Sequence, residues 1–176
     1  ETYSARQIRF LFLLHRYHEP MEYSANAMSA AVDLERRFAS FDSNLAARLA
    51  DAAAADAAAA VGAAPPHEHK WGAEERVLQA AFAEKRATVH AALLNAVDTP
   101  AALKALEQLV RAANTFVADV PDARRGRTLL QRVGRYYARV LKCFGAIESG
   151  TALEKLADGR EVGAAAAGGA AGTDPQ

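Results

Sequence analysis

Seven cations crowd one short stretch of this chain: Arg124, Arg125, Arg127, Arg132, Arg135, Arg139 and Lys142, with no acidic residue between Ala123 and Ile147. On a helix turning about 100° per residue, all of them except Arg127 fall within an arc of roughly 100°, opposite an apolar side. Guanidinium groups in such a stripe suit a phosphate backbone. They pair with phosphate oxygens, and their binding releases condensed counterions. A solvated face balanced by acidic residues on neighbouring helices gives the same pattern, and the lack of interleaved glutamate favours RNA. Tyr136 sits at the border of the stripe as a candidate stacking surface, whereas Tyr137 belongs to the apolar side and is expected in the core. Arg6, Arg9 and Arg16 form a second, smaller arc near the N-terminus, readable as RNA contacts or as charges snorkelling from a buried helix.

Other residue types with chemical potential do not assemble into a site. His67 and His69 flank Glu68 in a Pro-containing stretch, without further ligands at useful spacing for a metal. His15, His18 and His90 have no matching nucleophile or carboxylate pair, so no catalytic constellation is read. The single Cys143 excludes an internal disulfide and a thiolate zinc site, which fits a reducing compartment. Lys plus Arg and Asp plus Glu are 21 each, so no global field announces nucleic acid or membrane, and any basic surface must come from local segregation. No apolar run approaches the roughly 20 residues that cross a bilayer, and no signal peptide is recognisable. The chain starts at Glu1, which suggests a fragment or a processed chain.

The elements that must position these groups are all helical. Hydrophobic residues reach 51% over 176 residues, enough for one domain, although alanine runs supply much of that share. A nearly all-round apolar helix is expected from Ser4 to about Tyr17, buried and stopped near Pro20. Ser24 caps a longer helix in which Met28, Ala31, Leu34, Phe38, Phe41, Leu45 and Leu49 face inward and Arg36, Arg37 and Arg48 face solvent. Residues 50–72 read as a frayed helix end and a loop containing Gly62 and Pro65-Pro66. A third helix is expected over about Ala73 to Val97, burying Leu78, Phe82, Val89, Leu93 and Val97. Asp98-Thr99-Pro100 ends it and caps a fourth, about Pro100 to Ala118, burying Leu103, Leu106, Val110, Ala113 and Val117. After a tight connection at Asp119 to Pro121, the last helix is expected over about Asp122 to Phe144, with Leu130, Val133, Tyr137, Val140 and Phe144 inward and Gly145 as its stop. Gly134 inside it implies close packing of another helix. The fold class is all-α: an antiparallel bundle of about four long helices preceded by a short one. In domain terms, 1–23 is an N-terminal segment, 24–148 the helical bundle including the 50–72 loop, and 149–176 a flexible Ala/Gly-rich tail.

Three blocks carry a family resemblance. YSARQIRFLFLLHRYHEPMEYSANAM, Tyr3 to Met28, resembles the segment after the KMSKS loop of cysteinyl-tRNA synthetases, class I enzymes, in their eukaryotic form. The ARQ(I/L)R start falls on Ala5 to Arg9, the LLH centre on Leu13 to His15 and the DYS-like end on Glu22 to Ser24. VHAALLNAVDTPAALKALEQLVRAAN, Val89 to Asn114, resembles the helix-turn-helix of the family's C-terminal bundle, and YYARVLKCFGAIE, Tyr136 to Glu148, its closing helix with the FG stop at Phe144-Gly145. One departure is clear: before Asp98-Thr99 the family usually carries Cys-Asp-Asn or Asp-Asp, and this chain has Leu94, Asn95 and Ala96.

The resemblance implies a tRNA-binding module that follows the catalytic domain of an ATP-dependent cysteine-tRNA ligase, touches the inside of the tRNA and helps direct its anticodon side. The HIGH motif, the KMSKS loop and the zinc ligands belong to the family's N-terminal portion, so no catalytic residue and no metal ligand is assigned to this chain. ATP and zinc are expected only in that other domain, and no cofactor in this chain. The expected RNA contacts are Arg124, Arg125, Arg132, Arg135, Arg139, Lys142, Arg6 and Arg9. The expected partners are tRNA and the catalytic domain, in the cytoplasm and without a membrane. The other reading is a synthetase-derived, non-catalytic structural component of a large ribonucleoprotein assembly such as an organellar ribosome, with ribosomal RNA as partner.

Overall fold

The computed structural model describes residues 3–21, 23–61, 71–147 and 155. Glu22, residues 62–70 of the expected loop with His67, Glu68 and His69, and the 149–176 tail apart from Lys155 lie outside the described residues. The architecture is an antiparallel helical bundle. Its helices are α1 (Ala5–Leu13), α2 (Ala25–Val61), α3 (Ala73–Leu94), α4 (Thr99–Asp119) and α5 (Arg127–Cys143).

α1 starts from a capping box in which Ser4 Oγ accepts from Gln7 N at 3.1 Å and Gln7 Oε1 accepts from Ser4 N at 3.0 Å. It stops at Leu13, short of the expected Tyr17, because His15 N turns back to Phe12 O in a tighter closure while its ring meets Leu11 O at 2.8 Å. Nor is it buried all round. Phe10 and Leu11 are in the core, but Ile8 and Phe12 point outward, since α1 lies on the bundle through one face only.

α2 buries Met28, Ala31, Leu34, Phe38, Phe41, Leu45 and Leu49, as their spacing predicts. It then continues through residues 50–61, where a frayed end and loop were expected. The alanine run has the highest intrinsic helix propensity, and burial of Ala52 together with an Asp56–Arg127 ion pair holds the extension to its neighbours.

α3 ends at Leu94 rather than Val97. Ala96 and Val97 both adopt φ of 51°, so Val97 swings outward and is 54% exposed instead of joining the core. Asp98 then caps α4, accepting from Ala101 N at 3.0 Å, with Pro100 in the first turn.

The last helix begins five residues later than expected. Gly126, at φ 67°, is its left-handed entry point, and a Cβ there would run into the Phe116 ring. Arg48, expected in solvent, fastens the preceding connection by donating to the carbonyls of Val120, Pro121 and Asp122. Gly145 does close α5. Its N–H reaches Lys142 O at 2.9 Å and Ala146 N reaches Leu141 O at 2.8 Å, a Schellman pairing with Gly145 at φ 65°.

At the centre, Phe38 and Phe41 meet the Tyr137 ring edge-on at 5.4 and 5.1 Å, and Phe10 meets Phe38 at 5.9 Å, which joins α1, α2 and α5. Gly134 is buried, in keeping with a helix packed closely there.

Candidate nucleic-acid interface

The late start of α5 divides the cationic stripe. Arg124 and Arg125 lie in the turn before the helix and are not aligned with the rest. Arg125 reaches across to the start of α3, where it bonds Glu75 at 3.0 and 2.9 Å and Glu74 at 3.1 Å. Glu75 is fully buried and also accepts Gly72 N at 2.9 Å, so Arg125 neutralises a carboxylate taken out of water. Arg124 pairs with Asp122 at 3.6 Å, and Arg127 with Asp56. Arg132, Arg135, Arg139 and Lys142 remain on α5. Arg132, Arg139 and Lys142 are exposed and Arg135 is half-buried.

The N-terminal arginines also make contacts within the bundle. Arg6 lies 3.7 Å from Glu35 and 5.8 Å above the Phe10 ring. Arg9 donates to Gly145 O, the carbonyl just past the end of α5. Arg16, beyond α1 and out of the arc expected for it, holds Asp98 at 2.9 Å. The Ala101 N–H, the larger influence, and that contact keep the Asp98 carboxyl below its ordinary value. The three arginines thus pin α1 and the segment after it to α2, α5 and the cap of α4.

One carboxylate is placed unfavourably. Asp42 on α2 is half-buried beside the Tyr137 hydroxyl, and loss of water pushes its pKa from 3.8 up to about 6, against the opposing pull of Tyr137 and of the Arg6 charge. The Tyr137 hydroxyl is raised in turn by its own burial and by Asp42.

Most cations on the five helices are therefore spent. Arg36 pairs with Asp33, Arg37 and Arg111 with Glu107, Lys85 with Glu84, and Arg76 donates to Trp71 O. Among the described residues of these helices, the cations that make no ion pair or side-chain hydrogen bond are Arg86, Lys104, Arg132 and Arg135. Two of the four, Arg86 and Arg132, flank one side chain. Tyr136 lies one helical turn from Arg132 and next to Arg135, packs edge-on against Phe82 of α3 at 5.6 Å, and feels the Arg86 charge at its phenol. Its ring therefore serves as the floor between α3 and α5 and is only half open to solvent. Arg86 was not among the sequence candidates. Its signal was present only as a position at the edge of the apolar face of α3.

No family model matches the chain. Curated relatives do. The cytoplasmic cysteine-tRNA ligase of Gallus gallus is 32% identical over 155 residues, 87% of this chain and 20% of the relative. That of Mus musculus is 34% identical over 155 residues, 87% and 18%, and that of Drosophila melanogaster 32% over 149 residues, 84% and 19%. This chain is homologous to a segment of cysteine-tRNA ligase. It spans about a fifth of the length of the curated relatives it matches. Among its described residues there is no group of three or more His, Cys, Asp or Glu placed to hold a metal. No helix among them is long and apolar enough to cross a membrane.

Proposed function

We propose that this chain is the tRNA-binding module of a cysteine-tRNA ligase and positions the tRNA for cysteine attachment by the ligase's catalytic domain. The observation that carries the reading is the pair Arg132 and Arg135 on α5, which the bundle does not consume for its own stability. The relationship to the ligases supplies the class of ligand. Uncommitted guanidinium groups supply the means, because each can neutralise a phosphate and release a counterion. Arg132, Arg135, Arg139 and Lys142 carry the RNA contact in this reading. Arg139 and Lys142 also make contacts of their own and add charge beside the uncommitted pair, while Arg124, Arg125, Arg6 and Arg9 are engaged within the bundle and contribute by holding its shape. No cofactor takes part in this step, and any ATP or zinc chemistry falls to the catalytic domain.

The test is binding to a tRNA transcript over a range of salt. The log of the association constant is expected to fall linearly with log salt, with a slope of about −0.7 to −0.9 per phosphate contacted. The triple variant Arg132→Gln, Arg135→Gln, Arg139→Gln is expected to lower the slope by about 2 while the helical signal stays the same. A variant that binds as wild type, with an unchanged slope, would reduce the stripe to a solvated face and remove the proposal.

A further inference from the structure

We propose that the RNA contact is a two-helix groove between α3 and α5 rather than a stripe on α5, with Arg86 on α3 supplying the opposite wall against the phosphodiester backbone. The inference rests on the tRNA-binding reading and adds a second element and a residue to it.

The groove has three parts. Its floor is the Phe82–Tyr136 edge contact, an apolar seam that fixes α5 on α3 and leaves the Tyr136 hydroxyl near Arg86. One wall is α5, on which Arg132, Tyr136 and Arg139 recur at four and three residues, within an arc of roughly 60°. The other wall is α3, where Arg76, Gln79, Arg86 and His90 share an arc of roughly 80°. That arc contains no acidic residue. Of the acidic residues on α3, Glu84 projects about 120° from the middle of that arc and pairs with Lys85 at 2.7 Å, and Glu74 and Glu75 are engaged by Arg125.

Arg86 on one wall and Arg132 on the other therefore carry charge of one sign that no carboxylate among the described residues cancels, in a chain whose formal net charge is zero. Clefts lined by one sign over a low-dielectric floor concentrate counter-ions and steer polyanions. The contrast with the rest of the surface is what makes the groove specific. Arg36, Arg37 and Arg111 are as exposed as Arg86 and Arg132, yet each shares a carboxylate, so they offer a phosphate little net attraction. A phosphate strand following the groove would have Arg86 on one side and Arg132 on the other. The half-buried phenol beneath leaves a hydroxyl available for a phosphate or ribose oxygen.

The experiment compares Arg86→Gln with Arg111→Gln, both on exposed helix faces, against the same tRNA transcript. Arg86→Gln is expected to weaken binding about threefold or more at moderate salt and to reduce the salt slope by about 0.7 to 0.9, with Arg111→Gln equal to wild type. If Arg86→Gln binds as wild type while the α5 triple variant is impaired, the groove falls and the α5 stripe alone stands. If neither variant changes binding, both readings fall. Cys143, the one cysteine of the chain, is exposed one turn beyond Arg139 and gives a second measurement on the unaltered protein. Bound tRNA is expected to slow its reaction with a thiol reagent, and an unchanged rate would count against a strand lying along this side of α5.

Discussion

Arg6, Arg9 and Arg16 at one side of the bundle, and Arg86, Arg132 and Arg135 on α3 and α5, are the same side chain put to opposite uses. The first three each reach a different element: a carboxylate on α2, the carbonyl that ends α5 and the cap of α4. The second three meet no carboxylate among the described residues. In the sequence both groups are simply arginines at helical spacing. What separates them is whether the fold brings an acceptor to them, so the density of positive charge locates a binding surface only after the internal pairings are subtracted.

The sharpest way to break this contrast is to remove one cation from each class. Arg125→Gln should strand the fully buried Glu75 carboxylate and give the largest fall in urea midpoint of any single arginine change, whereas Arg132→Gln should stay within about 0.5 kcal/mol of wild type and act only on RNA binding. Equal midpoints for the two variants would abolish the division into committed and uncommitted arginines. Next in size is Gly126→Ala, which forces a left-handed conformation on alanine and drives its Cβ into Phe116. A loss of about 3 kcal/mol is expected in equilibrium unfolding, because this residue sets where α5 begins and hence which arginines leave the helix.

A smaller effect tests Arg6 as an internal cation. Asp42 is raised in the folded state, so the protonated carboxyl favours folding. Stability should increase by roughly 1 kcal/mol on going from pH 7 to pH 5, and the gain disappears as pH rises through about 6. In Asp42→Asn this increment should vanish, while Arg6→Gln should shift it to higher pH; an Asp42→Asn profile that matches wild type would contradict the assignment. Smallest of all, Val97→Gly relieves a β-branched residue at positive φ on an exposed turn and should raise the unfolding free energy by about 0.5 kcal/mol in urea titration.

The helical framework was legible because its apolar periods are strong. Leu103, Leu106, Val110 and Ala113 mark the inner face of α4, and Asp98 and Gly145 punctuate α4 and α5 where capping chemistry requires. Four boundaries fell elsewhere than expected, and the two largest differences each have a local reason. The alanine run after Leu49 has no large side chain to show whether it packs, so a continuing helix and a fraying one read alike. The stretch around Arg124-Arg125-Gly126 keeps a helical cation spacing by coincidence, and only the Phe116 ring against Gly126 shows why the helix must wait until Arg127. For the candidate interface, the four α5 cations could be read directly. The distinction of Arg132 and Arg135 from Arg125 and Arg9 could not, because the deciding partners lie 50 and 136 positions away. Arg86 depends in the same way on α3 and α5 meeting at Phe82 and Tyr136.

The short α3–α4 connection carries a consequence for how the molecule assembles. α3 and α4 are sequence neighbours that pack along their lengths, so closing that hairpin costs little chain entropy and can occur early. Laying α5 on α3 closes a far longer loop, and drawing Arg9 to Gly145 requires nearly the whole described chain to be in place. The surface with uncommitted charge is therefore expected to be completed after that hairpin. A nascent or partly folded chain would hold its arginines as scattered charges before it had a groove in which to gather them.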